Sequence, residues 1–205
     1  MSIFITIAGP QSSGKTTALE HLRKKHGDWF FIEDINPYTV AGDNHPGGAY
    51  TSEELEIKIS EIVLAKIATI KNRYNQNSAI EAGIFHLVFM KFFGRKKLVD
   101  LFYPQYTNLY NELNSFIIFI DTKPEVSFAR RKEIYIERIK KMGITDKKLF
   151  ASKLKKYQDI VFRLYPHWLK FYEKIPYPKV SIKNSDISKQ QFLNEIDREV
   201  KSFLS

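Results

Sequence analysis

The chain has 205 residues, 43% of them apolar and 14% aromatic, with no cysteine and a net charge of +9. That composition is globular and sized for one domain spanning 1–205, and it excludes a disulfide framework and a thiolate metal site. The longest apolar stretch, "GIFHLVFMKFFG", carries a lysine and is too short to span a bilayer, and no basic segment precedes the first apolar run, so a cytoplasmic protein without membrane contact is expected.

Residues 3–8, "IFITIA", are apolar and β-branched and then meet glycine, the pattern of a buried strand. A helix follows over 14–26, and "WFFIED" (29–34) reads as a second strand. The Gly, Pro, Asn and Asp of 35–50 predict a long loop, which carries Tyr38 and Tyr50. Thr51-Ser52-Glu53-Glu54 opens a helix expected to run to Tyr74, with Leu55, Ile59, Ile62, Val63, Ile67 and Ile70 along one face. "SAIEAG" (78–83) is a third strand, and "GIFHLVFMKFFGRKK" reads as a buried helix with a basic end, whose Phe85 and Phe89 would line a pocket for a substrate ring. Residues 96–114 are helical, with Pro104 expected to kink or interrupt them. "SFIIFID" (115–121) is a fourth strand, helices follow over 123–141 and 146–174, "YPKVSIK" (177–183) is a fifth strand, and 188–204 closes the chain as a helix. Strands alternating with helices predict a parallel sheet covered on both faces, with ligands beyond the carboxyl ends of its strands.

Gly9-Pro10-Gln11-Ser12-Ser13-Gly14-Lys15-Thr16 matches G-x-x-x-x-G-K-S/T at every fixed position, after a strand and before a helix. In such a loop backbone N–H groups converge on phosphate oxygens and the helix N-terminus adds partial positive charge. Gly9, Gln11, Ser12, Ser13, Gly14, Lys15, Thr16 and Thr17 are therefore the candidate triphosphate-binding residues, Lys15 reaching the β/γ-phosphates and the Thr16 hydroxyl ligating Mg²⁺. A guanine-reading N-K-x-D segment fits neither "DTKPE" (121–125) nor "IKNSD" (182–186), so ATP is the expected nucleotide.

The other candidates are charged. Glu81 ends the third strand, beside the phosphate loop in this topology, where a carboxylate either binds Mg²⁺ or caps the next helix. Glu33 and Asp34 end the second strand, and alternation puts them on opposite faces, so only one of them would serve an acceptor hydroxyl. Asp121 reads as the N-cap of the helix that begins near Pro124. From Arg130 to Lys156 there are eleven Lys/Arg against three acids, a net +8 that is either a solvated helix face or a positive lid for phosphates or nucleic acid. Arg131 and Arg138 are seven apart on one face, with Arg130 to the side. The five histidines have no metal-ligand spacing.

This layout resembles the deoxynucleoside kinase and thymidylate kinase group of P-loop kinases, over most of the chain. "FFIEDINPY" resembles the end of their second strand, "AIEAG" their E-R-S segment, "FIDTKPEVSFARRKE" the run from fourth strand into the lid, and "VSIKNSD" the fifth strand and the loop against adenine. Here Glu81 is followed by Ala82 and Gly83, with no arginine. The resemblance implies a three-layer P-loop NTPase fold with a five-stranded parallel sheet flanked by helices and a helical lid at about 130–148. It implies Glu33 as the acceptor-side carboxylate, Arg130 and Arg138 as lid arginines, Asn184 beside the adenine, and Thr16 with Glu81 as the Mg²⁺ set. The expected activity is ATP-dependent phosphoryl transfer to a nucleoside or nucleotide. A polynucleotide 5′-kinase using the basic 130–156 stretch, and a regulatory ATP-binding protein, are the alternatives. The long 51–74 and 97–115 helices offer a face for a homodimer.

Overall fold

The computed structural model describes residues 2–35, 40, 52–73 and 75–204. Most of the loop expected over 35–50, with Tyr38 and Tyr50, lies outside the described residues. Five parallel strands form one sheet in the order β2-β3-β1-β4-β5: β1 (Ile3–Ala8), β2 (Phe30–Ile32), β3 (Ser78–Glu81), β4 (Asn114–Asp121) and β5 (Lys179–Lys183). The described helices are α1 (Lys15–Lys25), α2 (Glu53–Lys71), α3 (Leu87–Phe92), α4 (Lys96–Glu112), α5 (Pro124–Lys141), α6 (Lys147–Lys174) and α7 (Lys189–Leu204).

Strand alternation splits the core in two. Phe4, Ala8, Ile80, Ile117 and Phe119 join a cluster with α2, α3, α4 and α6, while Ile3, Ile5, Ile7, Phe116, Ile118 and Ile120 join one with α1 and α7. Both faces of the sheet are thus covered, which is why its strands read as continuous apolar runs. Burying each such side chain contributes about 1.5–3 kcal/mol. Ser52 caps α2, its hydroxyl accepting from the Leu55 N–H at 3.1 Å.

Two expectations change. Pro104 does not interrupt α4, which runs unbroken over Lys96–Glu112. The proline lies on the exposed side, and the Gln105 amide and the Thr107 hydroxyl donate to the carbonyls of Leu101 and Tyr103, both at 3.0 Å. Asp121 does not cap α5: the N-cap position is Lys123, and the Asp121 carboxylate instead accepts from the Tyr165 hydroxyl of α6 at 2.7 Å.

Behind β3 the chain is pinned by Tyr110 of α4. Its buried hydroxyl pairs with the Thr6 hydroxyl at 2.7 Å and accepts from the Ile84 N–H at 3.1 Å. Gly83, at φ +50°, is required here, since a Cβ would lie 2.2 Å from that hydroxyl. This contact fixes the turn that leaves Glu81.

Candidate active site

The parallel register brings three strand ends together. Ile7 of β1 pairs with Glu81 of β3, and Ala8 pairs with Phe119 of β4, so the loop after β1 emerges between the two. Gly9, at φ +146°, presses against β4: a Cβ would lie 2.4 Å from the Ile120 carbonyl. The loop then curls back, the Ser13 N–H donating to the Pro10 carbonyl at 3.3 Å, and α1 starts at Lys15 with Thr16 and Thr17 in its first turn. The N–H groups of that turn have no partner within the helix and surround the loop's mouth.

Lys15 is buried, 9% exposed, and donates to the Pro10 carbonyl at 3.0 Å. Burial lowers its pKa, against the opposing pull of Glu81 and Asp34, while the charge of Arg131 pushes the same way as burial. The Thr16 hydroxyl donates to both carboxylate oxygens of Glu81, at 3.1 and 2.9 Å. Glu81 is 7% exposed, and its pKa is raised above the ordinary carboxylate range by burial, which outweighs the stabilising charge of Lys15. Two hard oxygen donors therefore stand side by side next to a buried ammonium, a donor set suited to Mg²⁺.

The backbone after Glu81 is strained. Ala82 adopts φ +65°, ψ −56°, the region of the rare γ-turn, at a cost of about 1–3 kcal/mol. Its N–H donates to the Ile7 carbonyl at 2.9 Å, so the strain is held by the sheet while the carboxylate is kept over Thr16. Next comes His86, buried, its Nε2 without a partner and its pKa lowered by burial.

The structure separates Glu33 from Asp34. Glu33 is ion-paired with Arg23 of α1 at 2.8 Å on the exposed side, while its charge still reaches Glu81. Asp34, exposed like Glu33, has no such ion pair among the described residues, and its negative charge reaches Lys15, Glu81 and His86.

Helix α5 is laced to the phosphate loop. The Ser127 hydroxyl donates to the Gln11 carbonyl, and the Tyr135 hydroxyl donates to Gln11 Oε1 at 3.0 Å. Arg130 donates to the Ser12 carbonyl at 3.4 Å and to the Asn184 carbonyl at 3.0 Å. Asn184, 6% exposed, donates through Nδ2 to the Ser13 carbonyl at 2.6 Å, behind Gly14. Arg130 and Asn184 therefore hold the loop's outer side. Arg138 lies seven residues beyond Arg131, about 10 Å along the helix axis, with its charge near the Tyr135 hydroxyl. The sequence reading missed Ser127 and Tyr135; their spacing of eight with Arg131 midway, one helical face, was the available signal.

A buried phosphate-loop lysine beside a threonine–carboxylate pair, at the carboxyl edge of a parallel sheet, defines a P-loop fold. Comparison narrows it to the fold of nucleoside and nucleotide kinases. The structure of deoxyadenosine kinase from M. mycoides with bound dATP has a TM-score of 0.56 at 19% identity, covering 97% of this chain and 99% of that one. The same enzyme with bound dCTP has a TM-score of 0.53 at 17% identity, covering 98% and 100%. In sequence, 64 residues are 42% identical to the thymidylate kinase of Mesoplasma florum, 31% of this chain and 25% of that protein. The chain therefore matches about a quarter of that relative's length. No family model matches the chain. No described helix is long and apolar enough to cross a membrane.

Proposed function

We propose that the protein is an ATP-dependent kinase that transfers the γ-phosphoryl group to a nucleoside or nucleoside monophosphate. The observation that carries this is the Thr16–Glu81 pair standing beside buried Lys15 in the loop. Such transfer needs oriented phosphates and positive charge around the equatorial oxygens more than covalent chemistry. In this reading the loop N–H groups and Lys15 bind the β/γ-phosphates, and Thr16 with Glu81 holds Mg²⁺. When bound, the ion neutralises charge on the phosphate oxygens. Asp34, whose charge reaches Lys15 and Glu81 and which has no ion pair among the described residues, orients the acceptor in place of Glu33. Burial of Lys15 and Glu81 excludes water, so their charges act at low dielectric. Helix α5 with the turn into α6, residues 130–148, forms the lid, and deoxyadenosine kinase's fold supports a nucleoside as the acceptor class.

A small acceptor is favoured over a polynucleotide because Arg130, though exposed, is engaged by the carbonyls of Ser12 and Asn184 at the phosphate loop. The test is ADP release from Mg·ATP over a panel of nucleosides, nucleoside monophosphates and short oligonucleotides. A nucleoside or its monophosphate should stimulate release at least tenfold over ATP alone. Release driven only by oligonucleotides would replace this reading with the polynucleotide one, and ATP binding without stimulation by any acceptor would leave a regulatory nucleotide-binding protein.

A further inference from the structure

Residues Ser127, Arg131 and Tyr135 of α5 recur every four positions and share one face of the helix. The outer two are both fastened to Gln11 of the phosphate loop, one to its carbonyl and one to its side chain. The middle one is therefore held over the same loop. Its guanidinium carbon stands 6.0 Å from the Tyr135 ring centroid, and its Nε is buried without a hydrogen-bond partner. A buried guanidinium N–H left unpaired is costly, and a guanidinium fork matches phosphate oxygens in two parallel bonds. Arg130, one residue earlier, is spent on the carbonyls of Ser12 and Asn184.

We propose that Arg131, not Arg130, is the arginine that binds the γ-phosphate in the loop and stabilises its transfer, while Arg130 is a positioning residue that clasps the loop. This rests on the kinase reading for the transfer step, but the contact with the γ-phosphate stands or falls by binding alone. The lowering influence of Arg131 on the Lys15 ammonium agrees with two cations aimed at one anion site. The charge at Arg131 is held by the helix face, and no lid movement is required to bring it near the loop.

The test compares the full-length parent with Arg131→Ala, Arg131→Lys and Arg130→Ala, each first confirmed folded by circular dichroism and a thermal melt. Dissociation constants for Mg·ATP, Mg·ADP and thymidine monophosphate are measured by calorimetry, and turnover by ADP release with the best acceptor. Arg131→Ala should weaken ATP roughly ten- to a hundredfold, the scale of a lost charge-assisted bond, and leave ADP within about threefold. Its turnover should fall on the order of 10³-fold. Arg131→Lys, which keeps charge and loses the fork, should fall between the two, and it stands in if the alanine variant does not fold. Arg130→Ala should weaken ATP and ADP alike, since loop geometry serves both. Unchanged ATP affinity in Arg131→Ala overturns the proposal, and so does weaker binding of the monophosphate alone, which would assign Arg131 to the acceptor. A parent that binds ATP but shows no transfer sinks the kinase reading while the ATP-to-ADP comparison still decides the contact; a parent that binds no ATP sinks both.

Discussion

Replacing Lys15 by methionine separates function from stability. The ammonium is 9% exposed and makes one hydrogen bond, to the Pro10 carbonyl at 3.0 Å. A hydrogen bond from a charged group contributes about 1.5–3 kcal/mol. Against it stands the desolvation of a buried ion, several kcal/mol after relaxation. The pKa of Lys15 lies below the ordinary 10.5 despite Glu81 and Asp34, so desolvation wins. Methionine fills nearly the same volume without that penalty, and Glu81 keeps its bonds from Thr16. A net gain of about 1 kcal/mol is expected, which raises Tm by roughly 2–4 °C in a chain of this size. The pH dependence has a definite sign. Above 10.5 the lysine is neutral in both the folded and unfolded states and carries no penalty. As pH falls from 10.5 toward the lowered folded-state value, the unfolded state binds the proton first and the parent loses stability, a loss that is complete below that value. The methionine variant lacks this component, so its advantage over the parent should be larger at pH 7 than near pH 10. Turnover should fall on the order of 10²–10³-fold, because the charge on the transferring group loses a fixed donor. Scanning fluorimetry across pH and ADP-release kinetics read both effects. Turnover within tenfold of the parent, or a Tm that drops by more than about 4 °C, would refute the argument.

Glu81→Gln should shift the Mg²⁺ midpoint for turnover upward by roughly tenfold while leaving ATP binding in EDTA little changed, and superimposable Mg²⁺ titrations would assign Glu81 to backbone support. Tyr110→Phe leaves the Thr6 hydroxyl and the Ile84 N–H without their shared partner, which should cost about 1–3 kcal/mol and lower Tm by roughly 2–12 °C; a Tm within about 1 °C of the parent would show that Tyr110 does not pin the turn.

The phosphate loop and most strands were legible because they are local. "IFITIA" followed by glycine gives β1 with the same ends as observed, Ile3–Ala8, since a strand buried on both faces must be apolar throughout. Thr16 and Glu81 were paired in advance because a parallel sheet with a crossover after β1 places β3 beside it, and the register Ile7 to Glu81 follows. β2 is shorter than the six residues of "WFFIED" suggest, because it is an edge strand that pairs only over Phe30–Ile32 against β3. That Glu33 and not Asp34 pairs with Arg23 was not legible: the two are chemically alike, and the arginine that captures Glu33 lies on α1. The same holds for the lid. The resemblance singled out Arg130 and Arg138, but only packing turns Arg130 onto two carbonyls and leaves Arg131 between Ser127 and Tyr135 over Gln11. Periodicity and turn chemistry act between residues near in the chain and are written in it. Side-chain direction at a site depends on partners 100 or more positions away, such as Gln11 for Tyr135, and only the folded structure brings them within reach.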